Sequence, residues 1–162
     1  MGNYQNNLSL QYMKKRVYIL FAHSGQESDF EVIASSVSYS EISDSINEYE
    51  LESEDEDIDL TEEADYRDFG FQGDDRRYVL DSRIVEIPQD AALFALFVNG
   101  DDICWEGEMS GIFASKEDAW NALCSKANLD EEDIPEKHDL FMEYGSVSDD
   151  DSMNWECLEI QL

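Results

Sequence analysis

Carboxylates dominate the side chains that could do chemistry: 40 Asp and Glu stand beside 2 His and 3 Cys in 162 residues. Calcium ligation is the first chemistry to test. Asp55, Asp57 and Asp59 supply the first three oxygen positions of an EF-hand loop, but Leu60 stands where the turn needs glycine and Tyr66 where the bidentate glutamate belongs. Asp149 and Asp151 open a similar series that Met153 ends. Ligand spacing is what makes such a site specific, so neither a metal nor a cofactor is expected. Nucleophilic catalysis needs a base beside a nucleophile. His23 adjoins Ser24 in a predicted turn, where the pair is ordinary turn chemistry, and His138 enters a predicted strand. No nucleophile elbow, phosphate-cradling loop or dinucleotide fingerprint occurs. The chain reads as a protein without catalysis of its own.

Charge narrows the partners. A formal charge of −30 with 10 Lys and Arg excludes direct binding to nucleic acid, whose phosphates must be met by cations, and to an anionic membrane for the same reason. Yet 42% of residues are hydrophobic and 12% aromatic, too many for a disordered acidic chain. Cys104, Cys124 and Cys157 are widely spaced with no C-x-x-C pair, which predicts free thiols and a reducing cytoplasm. The apolar stretch at 17–22 is shorter than a secretory core, and the longest apolar run, 91–98, is far short of a membrane span.

The elements that must position these carboxylates come in two similar sets. Residues 1–12 read as a flexible arm. Residues 14–22 and 30–37 read as strands, Ser38 or Ser40 caps a helix carrying Ile42 and Ile46, an acidic loop fills 50–65, and strands follow at 67–72 and 77–87. The second set predicts strands at 92–98 and 103–114 around a hairpin-type turn at 99–102. Ser115 then caps a helix with Asp118 three residues on, and Ala119, Ala122 and Leu123 form its apolar side with Trp120 alongside. An acidic loop at 129–136 and strands at 140–147 and 155–162 complete it. Both sets spell β-β-α-(acidic loop)-β-β, so the fold expected is α+β: a duplicated unit of antiparallel sheet with one short helix per repeat, 13–88 and 89–162. Tyr18, Phe21, Phe30, Phe94, Phe97, Phe113, Trp120, Phe141 and Trp155 fall inside these elements and are assigned to the core.

The negative charge is clustered. Residues 41–68 carry 14 acids against Arg67, with the binding candidates Glu50, Glu52, Glu54, Asp55, Glu56, Asp57, Asp59, Glu62 and Glu63. Residues 129–151 carry ten against Lys137: the candidates Asp130, Glu131, Glu132, Asp133, Asp149, Asp150 and Asp151, with Glu136, Asp139 and Glu143. The first 26 residues hold none. Alternate carboxylates on an extended segment stand about 6.8 Å apart on one face. Duplex DNA carries about one charge per 1.7 Å of axis. Two acidic edges from two related units would therefore form a row resembling a short duplex backbone. Trp105, flanked by charge and glycine, is the one aromatic expected to serve as an interface anchor.

In size, charge and the clusters at 41–68 and 129–151 the chain resembles the small acidic DNA-mimic proteins with which phages and plasmids block restriction enzymes, CRISPR effectors and other nucleic-acid-handling proteins. The resemblance implies a stoichiometric inhibitor whose partner is a basic DNA- or RNA-binding protein, with no direct nucleic acid or membrane binding. Two copies could also pair as a homodimer. Three other readings share the composition: an immunity protein for a cognate nuclease toxin, a halophilic protein with acid spread over its surface, and an acidic chaperone for a basic client.

Overall fold

The computed structural model describes residues 12–24, 29–52, 62–88, 92–100 and 107–162. The first unit runs β1 (Tyr12–His23), β2 (Glu31–Ser36), α1 (Tyr39–Glu48), β3 (Arg67–Phe71) and β4 (Arg77–Pro88). The second runs β5 (Leu93–Gly100), β6 (Glu108–Phe113), α2 (Lys116–Lys126), α3 (Ile134–Tyr144), β7 (Ser146–Ser148) and β8 (Met153–Ile160). Each unit closes its own four-stranded antiparallel sheet, ordered β2-β1-β4-β3 and β6-β5-β8-β7. The protein is α+β, and the two sheets repeat one strand order.

The repetition extends to detail. The first hairpin of each unit shifts register at the same place, between Leu20 and Phe21 in one and between Leu96 and Phe97 in the other. The helix that follows begins at matching serines, Ser38 and Ser115, and buries matching residues, Ile42 and Ile46 against Ala119 and Leu123. Ser115 accepts the Asp118 amide at 3.0 Å, the cap expected from the sequence. Ser38 makes no side-chain cap; its hydroxyl meets that of Ser40 instead.

Strand alternation distributes the core. Val17, Ile19 and Phe21 of β1 face Leu93, Ala95 and Phe97 of β5, so the sheets pack face to face. The opposite sides bury Tyr18, Leu20 and Ala22 under α1, and Leu96 and Val98 under α2 and α3. The result is an α/β/β/α sandwich. Phe30 is its rivet: its ring stacks on Phe97 at 5.0 Å and lies 6.2 Å from Phe21. Gly107 leaves room for it, since a Cβ there would stand 2.7 Å from the Phe30 ring. All the aromatics assigned to the core are buried or packed against it.

One element departs from the sequence reading. The strand expected over 140–147 is the second half of α3 followed by the three-residue β7, and the expected loop at 129–136 already contains the helix start. The second unit thus has two helices where one was predicted, and His138 lies on a helix. Pro135 at the first turn and Gly145 at the end, left-handed at φ 76° and donating its amide to the Phe141 carbonyl at 2.8 Å, fix the helix limits.

Candidate functional site

The cations come first, because they decide where negative charge is left over. Arg16 reaches Asp65 at 3.5 Å, Arg77 reaches Asp68 at 2.6 Å, Arg83 reaches Asp81 at 2.8 Å, and Arg76 bridges Glu31 and Asp74. Arg77 and Arg83 also donate to the Gly107 and Met109 carbonyls, tying the first sheet to the second. The second unit spends its lysines on backbone and hydroxyl oxygens: Lys116 on the Met142 carbonyl at 2.8 Å, Lys126 on the Ser110 hydroxyl at 2.8 Å, Lys137 on the Ser148 carbonyl at 2.6 Å. These cations serve the scaffold. Among the described residues most carboxylates are therefore exposed and stand in no ion pair with Lys or Arg.

The ends of the first acidic run are fixed to the outer side of the first sheet. After α1 the chain turns at Glu50, left-handed at φ 53°, and buries Leu51. The Glu52 amide and carbonyl then pair with the Gln72 side chain, each at 3.0 Å. At the far end Tyr39 donates to the Glu62 carbonyl at 2.8 Å, and Tyr18 donates to the Glu63 carboxylate. Burial, with the Glu63 charge beside it, pushes the Tyr18 hydroxyl up to about 12. Glu50, Glu52, Glu62 and Glu63 are exposed. Glu54, Asp55, Glu56, Asp57 and Asp59, like Trp105, lie outside the described residues.

The second run is gathered by the β7–β8 turn. The Asp150 amide donates to the Asn128 carbonyl at 2.9 Å, its carboxylate accepts the Asp130 amide at 3.1 Å, and Asn128 donates to Asp151 at 3.2 Å. Asp130, Asp150 and Asp151 thereby meet at one end of the second sheet. Glu131, Glu132 and Asp133 continue from them into the first turn of α3, where the helix dipole offsets part of their mutual repulsion. Asp149 is different in kind. It is 8% exposed, and its carboxylate accepts the amides of Asp151 and Met153 at 2.9 and 3.0 Å and the Trp155 indole N–H at 3.1 Å. It holds the turn together and offers no free charge to a partner.

The described acids of the two runs lie on opposite outer layers, one beside α1 and the other beside α3. Each layer carries its own described acids; the stretch 53–61, on which the row expected from the sequence chiefly rests, lies outside the described residues. Sequence reasoning placed Glu136 in a loop, Glu143 in a strand and Asp139 between the two. All three are exposed on α3, and the proline and glycine that bound the helix are the signal that would have placed them.

Among the described residues neither histidine bonds a serine or cysteine. His138 Nε2 meets Glu117 at 2.9 Å. His23 is fully buried between the sheets, with no partner for either ring nitrogen among the described residues. Burial, reinforced by Arg77, lowers its pKa below the ordinary 6.5. The fold thus holds it neutral. As pH falls through the unfolded value of 6.5 the unfolded chain gains a proton that the fold refuses, so this group removes stability as the solution is acidified. Relief of carboxylate repulsion acts the other way. In His23→Leu the first effect is gone, and urea melts at pH 7 and 5 should show the variant gaining on the wild type at the lower pH. An unchanged gap at both pH values would mean that His23 is protonated in the fold.

No family model, no curated protein and no solved structure matches the chain.

Proposed function

We propose that the protein is a stoichiometric inhibitor that presents nucleic-acid-like charge and occupies the basic groove of a DNA- or RNA-binding protein. The target fitted best is a bacterial defence nuclease of restriction or CRISPR type, met in the cytoplasm. One observation carries this reading: Arg16, Arg76, Arg77, Arg83 and the three lysines of the second unit are bonded to groups of the scaffold, while exposed carboxylates crowd both outer layers. A protein acidic for solubility alone would have no reason to gather its charge into two runs. Such a surface would draw a cationic groove by long-range steering, and the encounter would be fast at low salt. Two separate layers of charge mean that a groove engages one layer at a time, or that a larger partner grips the sandwich from both sides.

The immunity-protein reading uses the same electrostatics with a partner made by the same cell. The two diverge only in the identity of the target. Immobilised protein exposed to bacterial cytoplasm should retain a nucleic-acid-binding protein and no nucleic acid. The affinity of that complex should fall steeply between about 50 and 200 mM salt. Retention that is indifferent to salt would count against charge mimicry.

A further inference from the structure

We infer that the outward face of α3 is the docking element of the second layer, used together with the acids of the first, and that it seats in a protein cleft with a floor of Lys and Arg and apolar walls. The inference rests on the inhibitor reading and names the surface that performs it. Among the described residues α3 is the second helix laid on its sheet, where the first sheet carries one. Its contribution to the core is small, with Phe141 as its buried side chain. Leu140, Met142 and Tyr144 remain 40, 37 and 69% exposed. Leu140 and Tyr144, one turn apart, form an apolar pair on the solvent side of the helix, with Met142 on the opposite flank, and the pair offers a partner an apolar contact.

The arrangement around the helix says what covers them. With about 100° between successive residues, Glu136, Asp139 and Glu143 share the centre of the exposed face. Leu140 and Tyr144 border that ridge on one side and Met142 on the other. The carboxylates repeat every three or four residues, roughly 4.5 to 6 Å along the axis, so they form a short line of charge between two apolar shoulders. The neighbouring lysines bond neutral oxygens, Lys137 the Ser148 carbonyl and Lys116 the Met142 carbonyl, and neither pairs with the line, while His138 Nδ1 stands 3.9 Å from Asp139. A second copy of the chain is a poor occupant. A two-fold dimer through this face would set the acidic ridges of the two copies against each other, whereas a cationic floor matches them.

The test uses the whole protein and two synthetic peptides of equal length and charge, one patterned with Lys and Leu and the other with Lys and Ser. By fluorescence anisotropy the wild type should bind the Lys/Leu peptide about tenfold more tightly than the Lys/Ser peptide. Leu140→Ser with Tyr144→Ser should abolish that preference while leaving the Lys/Ser affinity intact. Glu136→Gln, Asp139→Asn and Glu143→Gln together should weaken both peptides. Amide exchange in the wild type covers the case of a serine variant that does not fold, because the Lys/Leu peptide should slow exchange over 136–144. Equal affinity for the two peptides, a preference that survives the serine changes, or protection elsewhere overturns the inference. So does a wild-type dimer that Tyr144→Ser dissociates. A captured partner lost on neutralising 52–59 but indifferent to every α3 change sinks the docking face and leaves the inhibitor reading standing; indifference to both sets sinks the reading itself.

Discussion

Replacing Glu52, Glu54, Asp55, Glu56, Asp57 and Asp59 with Gln or Asn should cut partner binding by about a hundredfold or more and leave the fold intact. Each carboxylate that meets a cation in a desolvated interface is worth on the order of 1 kcal/mol or more, and about 1.4 kcal/mol is tenfold in affinity. The fold tolerates the change because Glu52 is anchored through its backbone to Gln72, which a side-chain exchange does not disturb. Removing like charges from so acidic a run also relieves repulsion. Titration of the captured partner at fixed salt, beside a thermal melt of the variant, separates the two effects. Full binding in the neutralised variant would confine the site to the second layer, where α3 lies, or to Trp105.

The second large effect is on stability, and it concerns a residue that the sequence reading grouped with the binding acids. Asp149→Ala should destabilise the protein by roughly 3 kcal/mol, because three N–H donors lose their common acceptor in a buried turn. For a chain of this length that is a fall in Tm of about 10 °C. The turn is tight: Ser152 sits at φ 61°, and its amide closes onto the Asp149 carbonyl at 3.1 Å. Asp150→Asn and Asp151→Asn, both exposed, should stay within about 0.5 kcal/mol of wild type. A charge-removal experiment on this cluster must therefore spare Asp149. A melt of Asp149→Ala that matches the wild type would show that Trp155 and the turn amides find another acceptor.

Much of the fold was legible because the signals were local. The runs at 17–22 and 92–98 are β-branched, aromatic and apolar without a break, as strands covered on both faces should be, and the sandwich covers both faces of β1 and β5. Ser115 with Asp118 announced α2 by cap chemistry alone. The duplication was visible as an order of elements, but the shared strand order and matching bulges depend on pairing between distant segments, which no local pattern encodes. α3 was misread because Leu140, Phe141 and Met142 form an apolar run of strand length, while the evidence for a helix lay at its ends, in Pro135 and Gly145. The role of Asp149 was out of reach for a related reason. Its partner Trp155 lies across a turn whose geometry brings them together, and composition registers the residue only as one more acid.

The central claim is that the protein competes with nucleic acid for a cationic groove. The measurement that meets it most directly is displacement: labelled duplex DNA, or RNA for an RNA-binding target, is bound to the captured partner, the protein is titrated in, and release is followed at several salt concentrations. Charge mimicry predicts full release at one protein per groove, no ternary complex, and an apparent affinity that falls by at least tenfold between about 50 and 200 mM salt. A partner that holds the protein and its nucleic acid at the same time, with an affinity that salt leaves unchanged, would contradict it.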